Sequence, residues 1–544
     1  MLIKDVFKID PSSLDFNNPE GIKVCLEHLC NLIEALYKEN MELKTENQKL
    51  KDEINKLKGE KGKPDIKANS SKKGHKEEKS LSKATKEKKK WQKGSKLDKI
   101  KIDTKEPIRY EGKLPADAQH KGYRSVVVQG LIIKTNNIEY QLERYYSPSE
   151  KKTYEASLPD NIEGEYDPGL KSWVLFWYYH NRTPEKKIHQ MLTDIGTIIS
   201  EGKISDIITK RHDGFHQEKA QIIKAGLQSS TYQHIDDTGA RVAGDNQHFV
   251  TLCNDYYSAF FTTPLKNRLS IIEILNQEKE LSYLINEYAL TFLKERRVPV
   301  GIIASLHPLV DKGAMSLKNF ENKLNWLISK LKGSHKKSIL EAAAIAYYQE
   351  NHSSSIIKTL VCDDAKQFMY ITFLRALCWI HEERHYVKLT PFLPYHQMLV
   401  DKFRARIWEF YSELKQYKKN PNEADKIRLS NLFDSIFSIK TGYKQLDERI
   451  ELTKKKKAAL LVVLEHPEIP LHNNPAELAL RMYVIKRKIS FGTRSVDGTK
   501  SWETFFTIMD TCRKLGVNFR DYLYDRISKN YEMPSLASLI PKPS

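Results

Sequence analysis

The sequence predicts an α/β core preceded by an N-terminal coiled coil. Leucines recur every seven residues between positions 22 and 58, the spacing of a helix that pairs with another helix. From about residue 230, strand-like runs alternate with amphipathic helices, an order typical of an α/β domain. Two of those strand-like runs end in paired aspartates, which are candidate functional residues.

Length and composition exclude several classes of protein. A chain of 544 residues with 40% hydrophobic residues is long enough for several domains and a sizeable core. No run approaches the ~20 apolar residues of a membrane span, and the start MLIKDVFKIDPSS lacks the layout of a signal peptide. The six cysteines include no C-x-x-C pair and are too scattered for a disulfide framework. We therefore expect a protein of the reducing cytoplasm with no membrane partner.

The charge favours a polyanionic partner. Lys and Arg number 89 against 70 Asp and Glu, which gives a net charge of +19, and nucleic acid is the first partner that such an excess indicates. Residues 59–105 alone hold 17 Lys against 7 acidic residues, a net charge of +10. We interpret this stretch as a basic, disordered linker that is either a solvated spacer or a sequence-blind attractor of phosphate.

The segment 1–58 contains the predicted coiled coil, a leucine zipper of about five heptads. Leucines occupy the d positions, and two asparagines occupy a positions, where each would pair with its own copy in a parallel dimer. The alternative is an amphipathic helix that packs on its own domain. The predicted dimer contacts are Leu29, Ile33, Leu36, Asn40, Leu43, Asn47, Leu50, Ile54 and Leu57.

Two further regions precede the core. Residues 106–160 contain two strand-like runs around the turn signal Thr135-Asn136-Asn137 and predict a small β-rich domain. Residues 161–228 predict helices, two of them joined at Gly196, with Ser200 as the N-cap of the second. A short helix, a glycine turn and a second helix fit helix-turn-helix DNA binding through Lys203, Lys210 and Arg211, or an ordinary helical hairpin.

The core, residues 229–544 with helical insertions at about 277–350 and 385–470, contains three acidic sites. Asp236-Asp237 and Asp363-Asp364 each follow a predicted strand, and Glu477 lies in the first turn of a predicted helix. Acids that converge in this way repel unless a divalent cation neutralises them, and carboxylate oxygens suit Mg²⁺ or Mn²⁺ rather than zinc. Two such ions serve phosphoryl transfer. The plain alternative is chance, because Asp-Asp-Thr-Gly is a good turn in any protein.

Three blocks around these acids are distinctive. They are HIDDTGARV, LVCDDAKQF with LCWIHEER, and NNPAELALRMYVIKRKISFGT with GTKSWETFFTIMDTCRKLGVNFRDYL. In content and order they resemble the bacterial DDE transposases of insertion-sequence family sixty-six, and the similarity extends from the zipper to the C-terminus. The resemblance implies an RNase H-like core with a mixed five-stranded sheet and helices. It also implies that Asp236, Asp363 and Glu477 are the catalytic metal ligands.

The same resemblance implies partners and location. Transposases of this family act on double-stranded DNA, at transposon ends and at the target, with Mg²⁺ and no nucleotide cofactor. A homodimer or higher oligomer, possible helper proteins and a nucleoid-associated place in a bacterial cytoplasm follow. The chain departs from the family in residues 106–160, where many members carry paired cysteines and this chain has none, so we expect no zinc. The stretch 277–350 is also longer than the family leads us to expect.

Several other residues have two interpretations. Cys378 and His381 have C-x-x-H spacing, but two ligands do not make a metal site, and a buried helix is the simpler explanation. Arg481 lies four residues after Glu477 and could orient its carboxylate, contact a phosphate or form a structural salt bridge. Arg487, Lys488 and Arg494 could hold a DNA backbone or form a solvated basic face.

We therefore expect a transposase that binds the ends of an insertion sequence and catalyses metal-dependent cleavage and strand transfer. One alternative is a catalytically inactive, zipper-dimerised DNA-binding protein derived from a transposase. Another is a plain metal-dependent nuclease. Intact acids at all three positions favour an active enzyme over the inactive form.

Overall fold

The structure is a computed structural model. It describes residues 18–57, 101–109, 111–113, 115, 118–119, 123–276, 280–310, 312–350 and 357–542. The predicted basic linker lies outside the described residues up to position 100. Of the described residues, those up to position 39 and from position 138 onward group into one compact unit, and those between positions 40 and 137 into a second.

The predicted N-terminal helix is present. Helix α1 runs without a break over Pro19–Leu57, a length of 39 residues, and Asn18 caps its start through a side-chain oxygen that accepts from the amide of Glu20. Every predicted a and d residue from Leu29 to Leu57 is exposed in the single chain. The helix is therefore confirmed, and its pairing with a second copy stays a prediction.

The small β-containing region differs from its prediction. Its two strands, β1 (Arg144–Ser147) and β2 (Lys152–Glu155), form an antiparallel hairpin. The two predicted strand-like runs do not pair around Thr135-Asn136-Asn137, because residues 123–143 form no strand and only the end of the second run, residues 144–147, is a strand. Apolar side chains there, such as Val128 and Ile132, are almost fully exposed. Strand propensity without a partner strand or a surface to cover does not make a sheet.

Four helices follow, and they agree with the predicted order. They are α2 (Pro168–Tyr179), α3 (Glu185–Asp194), α4 (Glu201–Thr209) and α5 (Asp213–Gln228). Gly196 joins α3 to α4 with a φ of +88°, a value that glycine adopts without strain. Ser200 caps α4 by accepting from the amide of Lys203, as predicted.

A mixed five-stranded sheet organises the core. Its strands are β3 (Tyr232–Val242), β4 (Asp245–Cys253), β5 (Ser258–Thr263), β8 (Thr359–Cys362) and β9 (Leu374–Leu377). The spatial order is β5-β4-β3-β8-β9. The first three strands form an antiparallel meander, and β8 and β9 run parallel to β3. This sheet confirms the predicted α/β core.

Two largely helical insertions interrupt the core. The first, before β8, contains α6 (Arg268–Leu275), β6 (Ser282–Tyr283), α7 (Glu287–Glu295), α8 (Val300–Ser305), β7 (Met315–Ser316), α9 (Leu317–Leu327) and α10 (Gly333–Glu350). The second, after β9, contains α11 (Trp379–Val387), α12 (Pro394–Tyr417), α13 (Glu423–Ile436), α14 (Lys444–Lys454) and α15 (Lys457–Leu460). The chain continues with α16 (Asn474–Ser490), α17 (Val496–Leu515), α18 (Phe519–Ile527) and α19 (Leu536–Leu539).

Helices α16 and α17 cover the meander. Tyr483 of α16 stacks on Phe249 of β4 with ring centroids 3.7 Å apart, and Phe506 of α17 packs edge-on against the same ring. Thr507 of α17 accepts a hydrogen bond from the amide of Phe260. Apolar burial holds α16, and apolar burial with this hydrogen bond holds α17, against the meander that includes β3, the strand that carries Asp236. None of the helices in the described part of the chain is long and apolar enough to cross a bilayer.

Candidate active site

Asp236 and Asp363 lie level on neighbouring strands. Strand β3 pairs with β8 in parallel, with His234 opposite Val361. Asp236 lies two residues after His234, and Asp363 lies two residues after Val361. Paired strands run about 4.8 Å apart, so the two carboxylates share one edge of the sheet. Asp363 directly follows β8, as predicted. Asp236 was predicted to follow its strand but lies inside β3, because β3 continues to Val242 to form the hairpin with β4.

Asn473 connects the third acid to this edge. Its fully buried side chain donates from Nδ2 to the carbonyl of Ile235 at 2.8 Å, and its Oδ1 lies 2.9 Å from His234 Nδ1. Asn473 stands at the N-cap position of α16, but its side chain does not cap the helix. It instead ties the first turn of α16, which holds Glu477, to the strand that holds Asp236.

The other acids influence Asp236. Burial raises the pKa of Asp236 to about 7, and the negative charges of Asp363, Asp237 and Glu477 add to the increase. The amide of Asp237, which donates to Asp236 Oδ1 at 2.8 Å, acts in the opposite direction. Such a group of carboxylates favours protonation or the arrival of a cation.

The second acid of each pair already has basic or amide partners. Asp237 accepts from Lys266 and from Gln367, each at 2.6 Å. Asp364 pairs with Lys456 at 2.5 Å and with Arg375 at 3.4 Å.

The first acid of each pair is different. Asp236 and Asp363 accept from backbone amides, those of Asp237 and Ala365, and neither has a salt-bridge partner within the described residues. Their oxygens are therefore available to a ligand. This difference supports the choice of Asp236 and Asp363 over their neighbours.

Glu477 faces other partners in this conformation. Its Oε2 accepts from Arg384 at 3.2 Å, and its Oε1 lies 3.5 Å from His381 Nδ1. The spacing suggested that Arg481 orients the carboxylate of Glu477. Arg481 is exposed, however, and within the described residues Arg384 pairs with Glu477 instead. Among the described residues, the potential metal ligands whose donor atoms all lie within 4.8 Å are Cys378, His381 and Glu477. The donor atoms of Asp236, Asp363 and Glu477 are more widely spread.

The acids still fit a hard divalent cation. Asp236 and Asp363 offer carboxylate oxygens without basic partners, and Glu477 Oε1 is buried without a hydrogen-bond partner. Carboxylate oxygens are the ligands that Mg²⁺ and Mn²⁺ prefer. Glu477 is about one-quarter exposed, so its side chain has room to turn.

The predicted DNA-binding residues fall into two groups. Lys203, Lys210 and Arg211 line a cleft of about 680 Å³, although Lys210 also pairs with Asp206 at 2.7 Å. Three further basic residues that sequence reasoning missed line the same cleft. They are Lys171, Arg526 and Lys529. Arg526 and Lys529 come from the far C-terminal end of the chain, so local spacing carries no signal for them.

The second group lies at the end of α16. Lys488 and Arg494 are exposed, and Arg487 is half-buried with its guanidinium carbon 6.0 Å from the ring centre of Tyr483. Arg487 Nη1 also lies next to Gly239 of β3, where a side-chain carbon would come within 3.3 Å of it. Gly239 thus leaves room for an arginine beside the strand that bears Asp236.

Comparisons with known proteins identify the family. The chain matches the model of the Transposase IS66 family over residues 163–279 and 334–501, and it belongs to that family. The unmatched residues 280–333 lie in the first insertion, which is the stretch that looked long in the sequence. This assignment confirms the family to which the sequence motifs pointed.

Two relatives come from Sinorhizobium fredii. One, the uncharacterized protein y4jO, is 35% identical over 323 residues, which cover 59% of this chain and 99% of that protein. Another, the uncharacterized protein y4qI, is 27% identical over 146 residues, 26% of each chain. Neither name carries an activity.

Proposed function

We propose that this chain is a DDE-type transposase that binds the ends of an insertion sequence and catalyses DNA cleavage and strand transfer. The observation that carries the proposal is the placement of Asp236 and Asp363 at one edge of the sheet, without salt-bridge partners among the described residues, in a chain of a transposase family. Glu477 lies in the first turn of α16, which Asn473 ties to β3. A sheet of three antiparallel and two parallel strands with acids on its central strands also supports an RNase H-like type of core.

Asp236, Asp363 and Glu477 would hold the metal ions. When bound, two Mg²⁺ or Mn²⁺ ions activate the attacking oxygen and stabilise the leaving oxygen in phosphoryl transfer. The protein's part is to hold the carboxylates in place. The sheet register fixes Asp236 and Asp363, and Asn473 fixes the start of α16. Lys266 and Lys456 neutralise Asp237 and Asp364, which limits the negative charge that surrounds the site.

DNA binding would draw on basic surfaces away from the acids. The cleft residues Lys203, Lys210 and Arg211, together with Lys488 at the end of α16 and Arg494 just after it, can contact phosphates without reading sequence. Such contacts weaken as salt concentration rises. Binding and cleavage should therefore respond to different substitutions.

The test compares variants in cleavage of a transposon-end duplex with Mg²⁺. Asp236→Asn, Asp363→Asn and Glu477→Gln keep side-chain shape but remove a charge. Each should lower cleavage and strand transfer by about 10³-fold or more, equivalent to roughly 4 kcal/mol of barrier. DNA affinity, measured by fluorescence anisotropy, should stay nearly unchanged.

Asp237→Asn and Asp364→Asn are the matched controls. They remove a charge one residue away but leave the proposed ligands intact, so they should reduce cleavage less. Wild-type activity in Glu477→Gln would contradict the third ligand. A wild type that binds its ends but never cuts them would favour the inactive DNA-binding protein, and cleavage without strand transfer would favour a plain nuclease.

A further inference from the structure

Cys378, His381 and Glu477 bring three different metal-binding groups to one place. A thiol sulfur, an imidazole nitrogen and a carboxylate oxygen all lie within 4.8 Å of one another. Cys378 follows β9 and precedes α11, His381 comes one helical turn later, and Glu477 arrives from α16. The C-x-x-H spacing by itself is weak evidence. The fold supplies the third ligand, which the spacing could not show.

Two of these groups have unused bonding capacity. His381 Nδ1 and Glu477 Oε1 are shielded from water and have no hydrogen-bond partner, and they face each other across 3.5 Å. Buried polar atoms without partners cost free energy, and native structures rarely keep them without a reason. An ion bound between the two atoms would satisfy both.

The surroundings of Cys378 suit a metal-bound thiolate. The side chain is almost fully buried, and its Sγ accepts from the amide of Asn473 at 3.2 Å. A coordinating metal ion deprotonates a thiol, and amides at a helix N-terminus stabilise the resulting negative charge.

We propose that Cys378, His381 and Glu477 bind a transition metal ion such as Zn²⁺, and that this ion inhibits DNA cleavage by holding Glu477 away from Asp236 and Asp363. Thiolate and imidazole ligands select Zn²⁺ over Mg²⁺. The binding stands on the geometry alone, whereas the inhibition rests on the proposed function.

The site needs only a small adjustment. Tetrahedral Zn²⁺ has bonds of about 2.0–2.3 Å, which puts its ligand atoms about 3.3–3.8 Å apart. Donor atoms now within 4.8 Å of one another therefore close by about 1.5 Å at most. His381 and Glu477 are each about one-quarter exposed, so their side chains can make this movement. Water would take the fourth position.

Arg384 opposes metal binding. It donates to Glu477 Oε2 at 3.2 Å, and its Nη1 lies 3.2 Å from His381 Nε2. An ion on Nδ1 leaves the ring proton on Nε2, so the contact with Arg384 must break. The Arg384 side chain is half-exposed and can move into water. Removal of this competing charge should tighten metal binding.

Cobalt gives a direct test on the full chain without DNA, because a thiolate bound to Co²⁺ produces a charge-transfer absorption band. We expect a band that saturates at one Co²⁺ per chain and that Zn²⁺, but not excess Mg²⁺, removes. Cys378→Ser and His381→Ala should each weaken Co²⁺ binding by more than the ~10–100-fold that loss of an outer-shell partner costs. Arg384→Ala should strengthen it.

The chain offers a matched control. Cys25 and His28 on α1 have the same C-x-x-H spacing, but within the described residues no third ligand joins them. Cys25→Ser should therefore leave the cobalt band unchanged. A wild type without a saturable band, or a band that survives Cys378→Ser, overturns the site.

The inhibition has its own measurement. In the presence of Mg²⁺, added Zn²⁺ should inhibit end cleavage by the wild type. Inhibition of the Cys378→Ser variant should require a higher Zn²⁺ concentration, by the factor by which its Zn²⁺ affinity falls. The rate of each variant is compared with its own rate without Zn²⁺. Cleavage that is insensitive to Zn²⁺ at saturating occupancy overturns the inhibition. A cobalt band in a protein that never cleaves DNA supports the metal site and contradicts the proposed transposase activity.

Discussion

Lys486 shows why residue type alone does not locate a surface. In the sequence it belongs to the basic run KRKIS, yet in the structure it is fully buried. Its Nζ lies 3.4 Å from the ring centre of Tyr178 and donates to the carbonyl of Thr183. The helical period does predict this position, because Ala479, Tyr483 and Lys486 follow one another on one face.

Lys486→Met should stabilise the protein most near neutral pH. Burial lowers the pKa of Lys486 to about 7, against about 10.4 in an unfolded chain. Between these values the unfolded chain binds more protons than the folded one, so wild-type stability rises with pH through this window. The methionine variant lacks this dependence. Its gain in melting temperature should be largest near pH 7 and shrink as pH rises toward about 9.5.

Differential scanning fluorimetry across this pH range checks the prediction. Lys488→Met, which changes an exposed neighbour, is the control and should shift the melting temperature little at any pH. A gain from Lys486→Met that does not depend on pH would contradict the proposed titration.

Asn473 ties α16 to β3 and so fixes the geometry of the site. The sequence did not predict this role. Asn473→Ala removes the bonds to the carbonyl of Ile235 and to His234. Each buried group left without a partner costs about 1–3 kcal/mol. We expect a lower melting temperature and a larger loss of cleavage than of DNA affinity, because α16 would no longer be tied to β3.

Asn474→Ala provides the comparison for Asn473→Ala, since Asn474 is the next residue and is partly exposed. It should preserve melting temperature and cleavage. Equal effects of the two substitutions would show that Asn473 has no special role in placing Glu477.

At the scale of elements, helix α1 has an exposed apolar seam and a second face that contacts the core. The sequence predicted only the seam. The heptad period predicted the helix and its exposed apolar seam. The other face contacts the core of its own chain. Glu34 accepts from the amides of Phe392 and Leu393 at 3.0 and 2.7 Å, and it caps the start of α12, whose own N-cap residue Leu393 has no capping side chain. No local pattern links residue 34 to residue 393.

Glu34→Ala should loosen this contact. It removes the cap of α12 and leaves buried His396, whose Nδ1 lies 3.2 Å from Glu34 Oε1, without that partner. Loss of a cap costs about 0.5–2 kcal/mol. We expect a lower melting temperature and faster proteolysis between α11 and α12. Glu39→Ala, which changes an exposed acid on the same helix, should leave both properties unchanged.

Other elements were predictable to different degrees. The cap at Ser200 and the turn at Gly196 depend on neighbouring residues, and both were predicted correctly. Asp236 was placed at a strand end because Asp-Asp-Thr-Gly favours turns, but pairing with β4 carries the strand on to Val242. Tertiary pairing decides such cases, and propensity alone does not.

At the scale of the whole molecule, convergence of the acids could not be derived from spacing. Asp236, Asp363 and Glu477 are separated by two insertions, and many other triples of acids exist in the chain. The resemblance to a transposase family selected these three, and their role as metal ligands stays a prediction. The partners of Glu477 required the fold, because Arg384 and His381 lie on a different helix from it.

The exposed apolar seam of α1 favours dimerisation. Leu43, Leu50 and Leu57 are each more than half exposed in the single chain, although burial of a leucine side chain is worth about 1.5–3 kcal/mol. Glu34, which contacts α12, is not one of the heptad a and d residues that form the seam. A second copy in parallel would cover the seam, and Asn40 and Asn47 would each meet their own counterpart.

We therefore expect the full chain to dimerise through α1. Leu43→Lys with Leu50→Lys places like charges in the seam and should give a monomer at tens of micromolar in analytical ultracentrifugation. Asn40→Leu with Asn47→Leu should raise the melting temperature of the coiled coil, because buried asparagines cost stability. The same variant should form other registers or larger oligomers, because buried asparagines specify a parallel pair. Glu42→Lys with Lys49→Glu, at exposed positions outside the seam, is the charge-balanced control and should remain dimeric. A wild-type chain that sediments as a monomer under these conditions would contradict the coiled-coil assignment and require another partner for the seam.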